Sequence, residues 1–245
     1  MYKVNPKMSD SGVLACIPQN KRCTNNCQDC FFQSGRSYLE PLAENLPNMP
    51  DPDMVAGRIV RVNDGNDSYV DHEIVKNATK DFPMKFYNSI NKNALGIFMD
   101  SPVVITVNPG NNTDTKATYI EDPIPRNLMF VRFRVNTWNT ILMDSVIMYY
   151  TCAKIPVVLT FMAYHNSNSI PESDKKYYIK RVRTLNTYWA IKTSAWRDIM
   201  REYEDNIYVY SCGRIEGESG NTCCSRCGNC VREYFVTMER IKSRG

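Results

Sequence analysis

Ten cysteines in 245 residues are the strongest constraint on this chain, and most of them fall into two groups. Three lie within residues 23–30 and five within residues 212–230, whereas Cys16 and Cys152 stand apart in apolar stretches. Thiols spaced two or three residues apart are typical of metal sites, and a reducing compartment leaves disulfides little chance to form. The sequence therefore predicts two metal centres, and it predicts that Cys16 and Cys152 are core residues.

The composition fits a cytoplasmic globular protein. No apolar run approaches the length of about 18 residues that crosses a bilayer, and the N-terminal stretch lacks the apolar core of a secretory signal, so no membrane partner is expected. The chain has 30 basic and 26 acidic residues and a net charge of +4, without a run of five like charges. We therefore expect a mixed rather than a polarised surface, on which nucleic-acid binding is neither required nor excluded.

Hydrophobic periodicity indicates alternating strands and helices. An apolar strand at 13–17 precedes the first cysteine group, and an amphipathic helix capped by Ser68 is predicted over 68–82. Further strands are predicted at 85–90, 103–107, 129–135, 157–163 and 207–211, with one or two more within 177–192 and helices at 92–99, 139–153 and 194–204. About six βα units predict an α/β fold: a partial (β/α)6 TIM-type barrel over residues 1–211, with a C-terminal cysteine-rich metal-binding extension over 212–245.

The first group, Cys23, Cys27 and Cys30, has spacings of three and two residues between its thiols. A short loop of this kind can wrap three thiolates around one face of a 4Fe-4S cluster, and no fourth ligand lies nearby in the sequence. The fourth iron would then be open to an outside ligand. The alternative is a zinc site whose fourth ligand comes from His72 or from a C-terminal cysteine.

This cysteine pattern, directly after a first strand in a chain of βα units, resembles the radical S-adenosylmethionine (radical SAM) superfamily. The resemblance implies that Cys23, Cys27 and Cys30 hold a 4Fe-4S cluster that reductively cleaves S-adenosylmethionine, giving a 5′-deoxyadenosyl radical that abstracts hydrogen from a substrate. It also implies an electron donor such as flavodoxin or ferredoxin. The family usually has an aromatic residue before the third cysteine, where this chain has Asp29, and Phe31 is the candidate for the adenine contact instead.

The second group supplies four thiolates, from Cys212, Cys224, Cys227 and Cys230, with Cys223 as a spare. Four cysteines suit either a second 4Fe-4S cluster or a structural zinc ion. Many radical SAM enzymes carry an auxiliary cluster in a comparable C-terminal position. The short chain with paired cysteine groups also resembles a small phage-encoded family related to radical SAM proteins, the gene 88 type.

Polar residues alternate with apolar ones along the strand at 129–135, which places Arg132, Arg134 and Asn136 on one face. If the apolar face packs on outer helices, these residues point into the barrel, where an anionic ligand such as the carboxylate of S-adenosylmethionine would offset their charge. Thr160 and Tyr164 take similar positions on the next strand. All five are candidate cofactor-binding residues. The alternative is an edge strand with one face in solvent.

The sequence names neither a catalytic residue nor a substrate. His72 is expected at the surface, and His165, which follows a strand, is the better candidate for site chemistry. Neither belongs to a recognisable nucleophile–base set. A radical SAM enzyme is the first hypothesis, and a non-enzymatic zinc- or iron–sulfur-stabilised module that binds nucleic acid or protein is the alternative.

Overall fold

A parallel seven-stranded sheet forms the centre of the molecule, in a computed structural model that describes residues 1–109, 119–182, 187–212 and 224–243. Each strand pairs with the strand that precedes it along this sheet, and all six pairings are parallel. Parallel strands in sequential order with helices on one face are the arrangement of a TIM-type barrel. The fold is therefore α/β, and the open sheet is a partial barrel, as predicted.

The sheet has the order β1-β2-β3-β4-β5-β6-β10. Its strands are β1 (Val13–Cys16), β2 (Ile59–Val62), β3 (Lys85–Ser89), β4 (Val103–Val107), β5 (Leu128–Val135), β6 (Val157–Phe161) and β10 (Val209–Ser211). A second, antiparallel sheet has the order β7-β9-β8 and comprises β7 (Ala163–Tyr164), β8 (Tyr178–Val182) and β9 (Thr187–Ile191). The helices are α1 (His72–Thr79), α2 (Ala94–Ile97), α3 (Thr140–Cys152), α4 (Thr193–Arg201), α5 (Cys224–Cys227) and α6 (Asn229–Lys242).

Alternating side chains of the parallel sheet build two apolar layers. On the outer face, strand residues such as Val131 and Phe133 pack with Val146 and other residues of α1, α2 and α3. On the inner face, Phe130 and its neighbours pack with Tyr234 of α6. Because successive strand residues point to opposite faces, the polar residues that follow Phe130 at every second position lie on the inner face. The expectation that the valines and phenylalanine of β5 face the outer helices is confirmed.

The sheet contains one strand more than the six predicted. The strand β2 went unrecognised because it is only four residues long and follows a proline-rich segment of short helical turns. The predicted strand at 157–163 is divided into β6 and β7, which belong to different sheets. The region 177–192 holds two strands, which agrees with the prediction of one or two. Asn186, around which they were expected to turn, lies outside the described residues.

The amphipathic helix begins four residues later than the pattern at 68–82 predicts. Asp71 adopts a left-handed conformation with φ of 54°, which a helix cannot continue through, and α1 therefore begins at His72. Ser68 does not cap it. This residue is fully buried, its amide donates to the Asn88 carbonyl, and its hydroxyl accepts from the Asn63 side chain.

The two isolated cysteines have different surroundings. Cys16 is completely buried at the end of β1, which confirms the prediction for it. Cys152 is exposed at the end of α3, so the prediction that it is a core residue was wrong. Its apolar sequence neighbours suggested burial, but the helical repeat places it on the same outward face as Met148, which is 67% exposed.

The described part of the C-terminal segment covers the inner face of the sheet. Tyr234 of α6 is buried there, and Val231 and Met238 pack against the same layer. Arg240 donates to the Leu128 carbonyl at the start of β5, with a distance of 2.8 Å. The predicted cysteine-rich extension thus contributes to the interior of the partial barrel. No helix among the described residues is long and apolar enough to cross a membrane.

Candidate metal and cofactor site

The loop of the first cysteine group lies against the carboxyl ends of the parallel strands. Asn25 donates to the Asp67 carboxylate beyond β2 at 2.9 Å, and Arg134 of β5 donates to the Asp29 carbonyl at 2.9 Å. A longer bond of 3.5 Å joins Asn108, directly after β4, to the Gln28 carbonyl. Active sites of TIM-type barrels gather at this edge of the sheet. The loop is therefore held at the place where chemistry is expected.

Asp67 connects the loop to the sheet. Its buried carboxylate accepts from the Ser89 hydroxyl at 2.7 Å, from the Ile90 amide at 2.8 Å and from the Tyr69 amide at 2.8 Å, in addition to Asn25. A buried carboxylate needs such donors, because an unpaired charge away from water is costly. Asp67 thereby joins the loop between β2 and α1, the end of β3 and the cysteine loop.

Left-handed backbone residues shape the cysteine loop. Asn26 and Asp29 have φ of 45° and 51°, and each directly precedes a cysteine. Asn and Asp tolerate this conformation better than other residues with a side chain. The Cys30 amide donates to the Cys27 carbonyl at 3.1 Å, which closes the turn between them. The conformation of the position before the third cysteine thus favours Asp.

The three thiols of the loop are half-buried and close enough to influence one another. The pKa of Cys23 is raised to about 11, mainly by burial and to a smaller extent by the charges of Asp67, Cys27 and Cys30, while a hydrogen bond with the Asn25 backbone acts in the opposite direction. Metal binding would have to displace this proton, because thiolates are the ligands. The donor set suits a thiophilic centre such as an iron–sulfur cluster.

Within the four described ranges, no three His, Cys, Asp or Glu side chains stand in a preformed metal-binding arrangement. The histidines offer no support for a fourth ligand to the first group. His72 Nε2 lies 3.4 Å from Glu73, and its Nδ1 lies 3.3 Å from the Tyr69 carbonyl. His165 is exposed, with Nδ1 3.4 Å from the Thr187 carbonyl.

The second cysteine group surrounds a cavity on the inner face. Its four described members, Cys212, Cys224, Cys227 and Cys230, all line this cavity together with Arg61 and Arg132. Cys212 directly follows β10, and its amide donates to the Leu159 carbonyl. Gly228, with φ of 64°, makes the turn from α5 into α6 that brings Cys224, Cys227 and Cys230 to one side. The spare, Cys223, lies outside the described residues.

Two arginines supply positive charge beside these thiols. Arg61 forms an ion pair with Asp64 at 3.0 Å. Arg132 donates to the neutral Asn88 side chain at 3.2 Å and lies over the Phe130 ring at 5.7 Å. Burial and the nearby Arg61 lower the pKa of Arg132 to about 10. No carboxylate forms an ion pair with Arg132 among the described residues, so this partly buried cation of the cavity has only a neutral hydrogen-bond partner.

The thiols do not provide an anion for Arg132 while they are protonated. Burial raises the pKa of Cys224 to about 12 and that of Cys230 to about 11, although Arg61 acts in the opposite direction on both. A metal ion or iron–sulfur cluster that binds four thiolates carries a net negative charge. Such a centre would compensate Arg132, and the cavity therefore fits a metal–thiolate group.

The predicted cofactor-binding residues have different surroundings. Arg134 contacts the cysteine loop, as described, and Thr160 pairs with it across β5 and β6. The Thr160 hydroxyl is buried and has no hydrogen-bond partner among the described residues. The two residues together present a cation and an unsatisfied hydroxyl on the inner face, next to the first cysteine group.

Of the other four predicted residues, Arg132 lines the cavity of the second cysteine group, and the remaining three contribute less directly. Asn136 accepts from the amides of Trp138 and Asn139, at 3.2 and 2.8 Å, and so shapes the turn before α3. Tyr164 is buried against aromatic rings, and its hydroxyl donates to the Met162 sulfur at 3.3 Å. Phe31 is 39% exposed just after Cys30.

Sequence reasoning missed the polar residues that join these parts. Arg61, Asp67, Asn88 and Asn108 all lie near the carboxyl end of a strand in the parallel sheet. The available signal was their position: a polar residue at or just past the end of an apolar strand. For Arg61 that signal was absent, because β2 itself was not predicted.

Comparisons with known proteins add a fold-level likeness. No family model and no curated protein matches the sequence. Among solved structures, a spore photoproduct lyase mutant with bound AdoMet and dinucleoside spore photoproduct aligns with a TM-score of 0.42 and 10% sequence identity, over 81% of each chain. A likeness of this extent supports no inference about ligands, which have to follow from the residues of this chain.

Proposed function

We propose that this chain is a radical SAM enzyme whose cluster ligands are Cys23, Cys27 and Cys30. The observation that carries the proposal is the attachment of their loop to the carboxyl edge of a partial TIM-type barrel, through Asn25 and Asp29. When bound, a 4Fe-4S cluster and S-adenosylmethionine would supply a 5′-deoxyadenosyl radical for hydrogen abstraction. Three thiolates leave one iron position open to such a ligand.

In this proposal, the residues beside the loop orient the cofactor. Arg134 provides a planar donor suited to a carboxylate, and Thr160 provides a hydroxyl that gains its missing hydrogen bond. Phe31 offers an apolar surface next to Cys30.

We also propose that Cys212, Cys224, Cys227 and Cys230 hold a second metal centre, either a 4Fe-4S cluster or zinc. Its support is the partly buried Arg132, which forms no ion pair among the described residues, in the cavity that these thiols line. Four protein ligands would complete the coordination, so this centre would not bind S-adenosylmethionine. Its roles would be structural or in electron transfer, with a flavodoxin or ferredoxin as the external reductant.

The test begins with anaerobic purification and quantification of iron, sulfide and zinc per chain. The reconstituted protein should be brown, and with dithionite it should convert S-adenosylmethionine to 5′-deoxyadenosine. Replacing Cys27 by alanine should abolish the product and about half of the cluster absorbance if both centres hold iron. Replacing Cys152 by alanine is the matched control, because this cysteine is exposed and belongs to neither group.

Two results would count against the proposal. A colourless protein that contains zinc alone would favour the non-enzymatic metal-stabilised module. Product formation that survives the Cys27→Ala replacement would show that another site performs the cleavage.

A further inference from the structure

One short segment of this chain carries a local excess of positive charge. Residues 175–192 contain six basic and no acidic residues, whereas the whole chain has a net charge of only +4. The same segment contains four aromatic residues. These basic and aromatic residues are Lys175, Lys176, Lys180, Arg181, Arg183, Lys192, Tyr177, Tyr178, Tyr188 and Trp189.

The antiparallel hairpin of β8 and β9 displays this charge to solvent. Lys176, Lys180, Arg181 and Lys192 are exposed, and within the described ranges no carboxylate pairs with them. The strand β8 is an edge strand, so nothing in the sheet covers its outer side. Its tip also exposes apolar surface, with Val182 76% accessible. Cations without a nearby carboxylate create a positive potential, which attracts an anionic partner.

Cations and aromatic rings alternate across the hairpin. Lys180 is paired with Trp189 on the face that carries Tyr178 and Ile191, and Arg181 is paired with Tyr188 on the opposite face, so both cations reach the free edge of β8. The Lys176 ammonium lies 5.0 Å from the centre of the Tyr177 ring, which is itself 38% exposed. Proteins that bind single-stranded nucleic acid combine such rings, on which bases stack, with cations that follow the phosphates.

The hairpin is fixed beside the first cysteine group. Its third strand, β7, pairs Tyr164 with Trp189 and is separated from β6 by a single residue. The end of β6 pairs with the end of β5, where Val135 is opposite Phe161, and the neighbouring Arg134 donates to the Asp29 carbonyl of the cysteine loop. The strand β7 follows directly, and its pairing with β9 brings the hairpin to the same edge of the barrel.

We propose that the β8–β9 hairpin binds single-stranded nucleic acid. Its phosphates would contact Lys176, Lys180 and Arg181, and its bases would stack on exposed rings such as Tyr177. We combine this inference with the proposed function, on which only the following statement rests. The substrate of the radical chemistry is then a nucleotide unit within such a strand. A single-stranded nucleic acid offers both phosphates for the cations and bases for the rings. An anionic membrane or an acidic protein offers the negative charge without the stacking bases.

The test measures fluorescence anisotropy of a labelled 20-nucleotide single strand, without S-adenosylmethionine or reductant. The variant with Lys176, Lys180 and Arg181 replaced by glutamine should bind about 100-fold more weakly at 0.1 M salt. Its slope of log affinity against log salt should fall by about 2, because each phosphate contact contributes about 0.7 for single strands. A control variant with Lys7, Lys80 and Lys154 replaced by glutamine removes the same charge from other exposed positions and should bind like the wild type.

A second variant tests stacking separately. The Tyr177→Ala replacement should weaken binding at least fivefold and leave the salt slope unchanged, since a stacked base contributes about 1–3 kcal/mol. Equal weakening by the hairpin and control triple variants would overturn the proposal. So would preferential binding to phosphatidylserine vesicles, or to polyglutamate, over the oligonucleotide. Oligonucleotide binding without 5′-deoxyadenosine formation would leave this inference standing and refute the proposed function alone.

Discussion

Replacing Arg132 by methionine should have opposite effects on the metal-free and the metal-loaded protein. Methionine has a similar length and keeps the packing against Phe130, but it removes the buried charge. In the metal-free state that charge has only the neutral Asn88 side chain as a partner. In the loaded state, it would face the anionic metal–thiolate centre.

The size of the effect follows from the pKa of Arg132. A pKa of about 10 in place of 12.5 corresponds to about 3 kcal/mol of penalty for the buried cation, at about 1.4 kcal/mol per pKa unit. Leaving the Asn88 oxygen without its donor costs about 1–2 kcal/mol of this gain. The metal-free variant should therefore be more stable than the wild type by about 1–2 kcal/mol. Removing one partner of a buried charge pair costs about 3–5 kcal/mol, so the loaded variant should lose metal at least 100-fold more readily.

Urea unfolding of the metal-free proteins gives the first quantity, and competition with a chelator gives the second. Arg197→Met is the matched control, because Arg197 is exposed on α4 and the replacement suits a helix. It should leave both quantities nearly unchanged. The reasoning fails if metal-free Arg132→Met is less stable than the wild type, or if the variant retains metal as well as the control does.

Three further results are expected. A Cβ atom at Gly65 would lie 2.2 Å from the Phe32 ring, so Gly65→Ala should shift Phe32, loosen the first cysteine loop and reduce iron incorporation; unchanged iron content would contradict this. Asp67→Ala should lower the free energy of unfolding by about 3 kcal/mol or more, as measured in urea, because four donors lose a charged acceptor; a change below 1 kcal/mol would argue against its connecting role. In native protein, iodoacetamide should modify Cys152 readily and spare Cys16, as measured by mass spectrometry of the peptides; faster modification of Cys16 would contradict this.

The sequence predicted the elements that have a regular pattern of apolar and polar residues. It missed the features that depend on contacts between residues far apart in the sequence. Strand β5 was predicted to within one residue, because eight consecutive residues alternate between two buried environments. The start of α1 was misplaced, because the left-handed Asp71 leaves no trace in the apolar periodicity. The exposure of Cys152 was likewise hidden, since its neighbours in sequence are apolar while its neighbours in space include solvent.

The candidate site shows the same division. Spacing alone identified the cysteines, and alternation placed Arg132 and Arg134 on the inner face. The partners of these side chains could not be predicted, because Asn88 and Asp29 are 44 and 105 residues away in sequence. The positive charge of the hairpin can be read from the sequence. The net charge of the whole chain does not reveal it, whereas the net charge of the two paired strands does.

Arg132 and Arg134 give the partial barrel a fixed internal spacing. They are two residues apart on β5, which corresponds to about 7 Å along a strand, and β5 has a paired strand on either side. One of them lines the cavity of the second cysteine group, and the other contacts the loop of the first. Loops can open and close, but a strand inside a sheet cannot stretch. The separation of these two arginines, one beside each cysteine group, is therefore a property of the sheet and does not change when the loops move.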